Sequence, residues 1–118
     1  MDCNTKLNRV QKMVTKEQWE KLISNGKNRD KDHAPVVKFF NPRGAQTWLF
    51  NEFDVVDDGA DIFAFGLCDL GMGCAELGTQ SIQEMVDIGY LERDLHFKAK
   101  GPMSIYSAEA REKGRICS

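Results

Sequence analysis

Three charged side chains fall within runs that otherwise read as apolar strands: Glu52, Glu76 and Arg93. A guanidinium on a half-buried face needs carboxylate partners, because removing one partner of a buried pair costs roughly 3–5 kcal/mol. Its planar fork can hold two carboxylates at once. An Arg93–Glu52/Glu76 cluster is therefore expected. It would either pin strand register or floor a polar pocket beside Trp48 and Phe50, suited to a small ligand or a peptide. Trp48, Phe50, Glu52, Glu76 and Arg93 together make the expected ligand or partner face.

Other chemistry is weaker. His96 stands near Asp94 and Glu92, but general acid–base work needs a cleft and a shifted pKa, which a flat exposed strand face does not supply. No Gly-x-Ser-x-Gly, phosphate loop or His-x-x-x-His spacing occurs. Four cysteines, Cys3, Cys68, Cys74 and Cys117, lack the Cys-x-x-Cys pairs of a zinc site. They read as plain buried or half-buried thiols, with Cys68 and Cys74 flanking a turn that could bring them close. No catalytic residue, metal or cofactor is expected, and the reading leans away from an enzyme.

Elsewhere the chain is unexceptional for a folded protein. Its 118 residues suit one domain that buries roughly two-thirds of its extended-chain surface. No apolar run approaches the ~20 residues a bilayer crossing needs, and the start lacks the order of a secretory signal. A cytoplasmic protein without a membrane partner is the expectation. Charge is uneven: residues 33–94 hold three basic against eleven acidic residues, a local balance of −8. That segment would repel nucleic acid, so a nucleic-acid partner is not expected.

The elements that must position these residues are written strand by strand. Gln46–Val56, Asp61–Asp69 and Leu91–Lys98 alternate or are short and apolar, with turns at Asp57-Asp58-Gly59 and Gly71-Met72-Gly73. Pro35–Phe40 adds a first strand and Cys74–Gln80 a fourth. Leu91–Lys98 puts Arg93 on the same side as Leu95 and Phe97, and the shared interior is expected to hold Phe63, Leu95 and Phe97. Small residues on one face of 61–69 (Ala64, Gly66 and Cys68) suggest that a helix lies close there.

Thr15–Gln18 matches a capping box opening a helix with Trp19, Leu22 and Ile23 as its apolar stripe, ending at Gly26. Ser81–Glu84 is a second box, and Ser107–Lys113 a C-terminal helix capped by Ser107 and stopped by Gly114. The fold class is α+β: an antiparallel, meander-like sheet of about five strands, an N-terminal helix packed on it, and short helices after strand four and at the C-terminus. Residues 1–118 read as a single domain, with 1–14 as an arm or short helix, 15–100 as the core and 101–118 as a C-terminal extension.

Several segments carry a resemblance in one order: Val36-Val37-Lys38-Phe39-Phe40, Thr47-Trp48-Leu49-Phe50-Asn51-Glu52-Phe53-Asp54, Phe65-Gly66-Leu67, Ala75-Glu76-Leu77-Gly78 and Leu91-Glu92-Arg93-Asp94-Leu95-His96-Phe97-Lys98. Over about residues 12–100 the chain resembles the small bacterial proteins grouped as domain-of-unknown-function family 2958. Members are often encoded on plasmids, phages and other mobile DNA, so the resemblance implies a mobile-gene setting. It implies no activity, and residues 1–11, 101–118 and 55–60 depart from or extend the pattern.

The favoured function is a non-enzymatic protein-interaction or accessory module of a mobile element, with an unidentified protein partner. One alternative is an acidic DNA mimic that counters a host defence. Another is a small-molecule-binding or enzymatic domain with a Glu52/Glu76/Arg93 pocket. Homodimerisation through an exposed sheet edge is left open.

Overall fold

The computed structural model describes residues 13–56, 61–71, 73, 75–82, 84–85 and 91–116. In chain order these give α1 (Lys16–Gly26), β1 (Val37–Phe40), β2 (Thr47–Val56), β3 (Asp61–Asp69), β4 (Glu76–Ser81), β5 (Glu92–Arg93) and α2 (Met103–Lys113). The fold is α+β, with one five-stranded antiparallel sheet in the order β4-β3-β2-β1-β5. Strands β1 to β4 form a meander, and β5 returns to the open edge of β1.

Helix α1 starts where the capping box places it. The Thr15 hydroxyl accepts from the Gln18 backbone N–H at 3.1 Å, and the Gln18 side chain accepts from the Thr15 N–H at 3.0 Å. Leu22 is fully buried, and Trp19 meets Phe53 edge-on at 6.0 Å between ring centres. The helix lies chiefly on β2. Gly26 is its last residue rather than a left-handed stop, and it matters by what it lacks: a Cβ there would run into the Phe53 carbonyl. The close helix–strand approach depends on that missing atom.

Strand β2 carries one extra residue. Phe50 pairs with Gly66 and Glu52 with Phe65, leaving Asn51 as a bulge. The bulge resets the alternation, so Trp48, Phe50 and Phe53 share one face while Leu49, Glu52 and Asp54 take the other. Without the bulge, a strict period of two places Phe53 on the face opposite Trp48. The first face joins Val37, Phe39, Ile62, Ala64, Ile82 and Met85 in the main core beneath α1. Gly66 is small for a reason other than the helix: a Cβ would clash with the Leu49 carbonyl beside the bulge.

The second face is covered over only part of its area. Leu49 and Leu67 pack against Met103, Tyr106 and Ala110 of α2, with Phe97 beside them. Helix α2 begins at Met103, four residues before the expected Ser107 cap. Its first donors are satisfied from far away, Met103 N–H by the His33 carbonyl at 3.0 Å and Ser104 N–H by Asp32 at 3.2 Å. Gly114, in the left-handed region at φ 74°, ends it as expected.

The fifth strand is much shorter than the expected 91–98. The Asp94 carboxylate accepts from the His96 N–H at 2.9 Å, turning the chain after two paired residues. The proposed shared interior fails with it. Leu95 is 73 % exposed and Phe63 40 %, while Phe97 packs with Tyr106 in the smaller core, their rings 6.3 Å apart.

Two helices are present among the described residues. Ser81 does accept from the Glu84 N–H, at 3.5 Å, but most of the helix expected after strand four lies outside the described residues. So do residues 1–12, the 57–60 turn, Cys3, Cys74 and Cys117.

Candidate functional site

The strand order separates the residues expected to cluster. Glu76 lies on β4 at one edge of the sheet and Arg93 on β5 at the other, about 19 Å apart across four strand spacings. Arg93 instead crosses to the start of α1, donating to the Met13 carbonyl at 3.1 Å and the Gln18 side-chain oxygen at 3.5 Å. Carbonyl oxygens thus meet its donors. Trp48 and Phe50, at 3 % and 0 % exposure, are core residues that no partner can reach.

Glu52 has a different cation. Because the bulge turns it to the α2 side of the sheet, its carboxylate meets Arg29, in the loop after α1, at 3.1 Å. The burial is lopsided: the Glu52 side chain is 6 % exposed and that of Arg29 57 %. The guanidinium also sits 5.8 Å from the centre of the Phe65 ring, within range of cation–π attraction. Glu52, Arg29, Phe63, Phe65 and Thr79 line a cleft of about 90 Å³.

Around this cleft the sheet is open. Phe63 and Leu77, 40 % and 45 % exposed, lie on its α2 side. Phe63, Phe65 and Leu67 of β3 face Ser81, Thr79 and Leu77 of β4 in register. Leu77 is thus diagonal to Phe63, with the Phe65–Thr79 pair between them. Helix α2 covers the Leu49–Leu67 end, touching β4 as well as β3, and leaves Phe63 and Leu77 part-exposed. The outer edge of β4 pairs with no strand among the described residues.

A wider cleft of about 500 Å³ opens where the β1–β2 turn meets residues 93–96, lined by Lys38, Phe40, Gln46, Asp94 and His96 among others. Its charges are largely committed: Asp94 pairs with Lys38 at 3.6 Å and holds the His96 backbone, and Asn41 donates to Gln46 at 2.7 Å. The Asp94 carboxylate is thus directed to the His96 backbone and not to its ring. Cys68 is a half-buried free thiol, and burial pushes its pKa up to about 11. At neutral pH it is protonated, hence a poor nucleophile. No group of three or more His, Cys, Asp or Glu is placed to hold a metal ion among the described residues. No described helix is long and apolar enough to cross a membrane.

The family model described as protein of unknown function (DUF2958) matches residues 13–117. The chain belongs to this family. The match runs through α2 to residue 117. No curated protein and no solved structure matches the chain. The site's meaning must therefore come from its geometry.

Sequence reasoning missed the Arg29–Glu52 pair and the Phe63–Leu77 patch. One signal for the pair was present: a charged residue inside an apolar strand demands a partner, but the partner lay 23 positions earlier in a loop. The patch depended on knowing which half of the sheet α2 covers.

Proposed function

We propose that the protein is a non-enzymatic interaction module that docks an extended segment of a partner protein against the bare half of its sheet, alongside β4. The observation that carries this reading is the pair Phe63 and Leu77, large apolar side chains exposed on one face of neighbouring strands. Adding a strand to an open sheet edge is a recurring mode of peptide recognition, with main-chain bonds giving affinity and side-chain clefts giving selectivity. The face is also acidic. Among the described residues lining the cleft, Glu52 and Asp54 stand with one cation, Arg29, so a partner segment that is apolar and basic complements it.

The acidic DNA-mimic alternative draws less support. Such a mimic needs carboxylates lined along one surface, free to imitate phosphates. Here Asp69 is buried and holds the Gly71 and Ile116 N–H groups, Asp61 accepts from Ser81 at 2.6 Å, and Glu52 is spent on Arg29. Glu76 turns to the opposite face from Glu52, since it pairs with Cys68 on the Trp48 side. A shared small-molecule pocket is likewise unsupported, because Glu52 and Arg93 line different clefts.

The test is affinity purification of the tagged protein from its native host, with wild type beside Phe63→Asp and Leu77→Asp. Retention of one defined partner by wild type, and its loss from both variants at unchanged melting temperature, is the expected result. A lone monomer with no bound protein, or a partner retained by both variants, contradicts the reading.

A further inference from the structure

We infer that the cleft floored by Glu52 is a receptor for an arginine side chain of the docked segment, and that Arg29 is its stand-in while the partner is absent. This rests on the docking surface proposed above and names the chemistry that surface selects.

Three observations converge. Glu52 is 5 % exposed yet lines an open cleft, so its charge is directed at whatever enters there. Its one hydrogen bond among the described residues, to Arg29 Nε, uses Oε1, and a carboxylate can accept more than one N–H. The Phe65 ring forms a wall over which a guanidinium already sits. Arginine stacks on such a ring and forks onto a carboxylate, whereas the compact lysine ammonium does neither as well.

The present occupant is loosely held. Arg29 follows α1 in a loop, its side chain is more than half exposed, and its bond to Glu52 uses a single nitrogen. The Glu52 end of the pair is buried and only the Arg29 end is solvated. Because one nitrogen makes the contact, a guanidinium that forks onto both carboxylate oxygens is the stronger occupant. The free space beside Arg29, about 90 Å³, is near three times the ~30 Å³ share of a water molecule in the liquid. A planar group of four heavy atoms enters it with little rearrangement. Thr79 and Asp54 at the rim add a hydroxyl and a second carboxylate.

The experiment is a two-dimensional NMR titration of the full chain with N-acetyl-arginine amide, and with its uncharged isostere N-acetyl-citrulline amide. Wild type, Arg29→Ala and Glu52→Gln are compared. In Arg29→Ala the arginine probe is expected to give saturable shifts confined to amides around Glu52, Phe65 and Thr79. Removing the internal competitor raises affinity about fivefold or more over wild type. Citrulline should give none, and Glu52→Gln should abolish the response. Should Glu52→Gln fail to fold, the arginine–citrulline comparison in Arg29→Ala decides alone. Absence of saturable shifts there, or equal shifts from both probes, overturns the inference. If partner capture still depends on Phe63 and Leu77 after that result, the docking surface survives and the arginine receptor does not.

Discussion

The side-chain amide of Asn25, in the last turn of α1, donates to the main-chain carbonyl of Asn51 at 2.9 Å. Asn51 is the residue by which β2 outruns its partner, so the bond ties the helix to the bulge. Asn51 in turn donates from its own amide to the His33 carbonyl at 3.0 Å, the same oxygen that receives the Met103 N–H. Helix α1, the bulge and the start of α2 are thus joined at one small network. The bulge is what turns Glu52 toward the cleft, so the site depends on this network.

Asn25→Ala leaves the buried Asn51 carbonyl without its donor. Such an orphan costs about 1–3 kcal/mol, and urea unfolding should show a loss in that range. Asn25→Asp should cost more at neutral pH, because a carboxylate then faces the carbonyl. An unchanged urea midpoint for both would mean that the bulge is held by other contacts.

Gly26→Ala reverses a familiar sign. Replacing a helical glycine with alanine ordinarily stabilises by up to ~1 kcal/mol. At Gly26 the new methyl would meet the Phe53 carbonyl, so a destabilisation of about 1–3 kcal/mol is expected from overpacking. Gly78, beside which a Cβ meets nothing within 4 Å, is the control. Thermal melts should show Gly26→Ala well below wild type and Gly78→Ala within a few degrees of it.

Cys68 should resist thiol reagents while the protein is folded. With its pKa raised to about 11 by burial, the thiolate fraction at pH 8 is only about one in a thousand. Because the fold favours the protonated thiol, its contribution to stability is complete below the usual thiol pKa and is lost as pH rises toward 11. Mass spectrometry after iodoacetamide should show slow labelling of the Cys68 peptide at pH 8 and fast labelling in urea. Fast labelling of the native protein at that site would contradict this.

The sheet was legible wherever local chemistry decided the outcome. Asn41-Pro42-Arg43-Gly44 turns the chain because Asn41 caps its own turn, accepting from the Arg43 N–H at 2.9 Å. Asp61–Asp69 emerges with the bounds its alternation suggests, and the Thr15–Gln18 box opens α1. What escaped was set at a distance. The Asn51 bulge shifts the phase of β2 through a helix 26 positions earlier. Helix α2 starts early because Asp32 and His33 supply its caps, although Met103, Tyr106 and Ala110 already carried a helical stripe. Arg93 and Glu52 each found partners that strand pairing alone could not reveal, so the expected cluster dissolved into two separate contacts.

The docking surface is tested most directly by photo-crosslinking in the native host, with a photoreactive residue placed singly at Phe63, Leu77 or Ile105. All three are large and exposed, at 40 %, 45 % and 50 %, but Ile105 sits on α2 outside the Met103, Tyr106 and Ala110 stripe that packs on the sheet. One defined adduct from positions 63 and 77, and none from 105, is the predicted result. An adduct from 105 alone, or none from 63 and 77, would contradict the account.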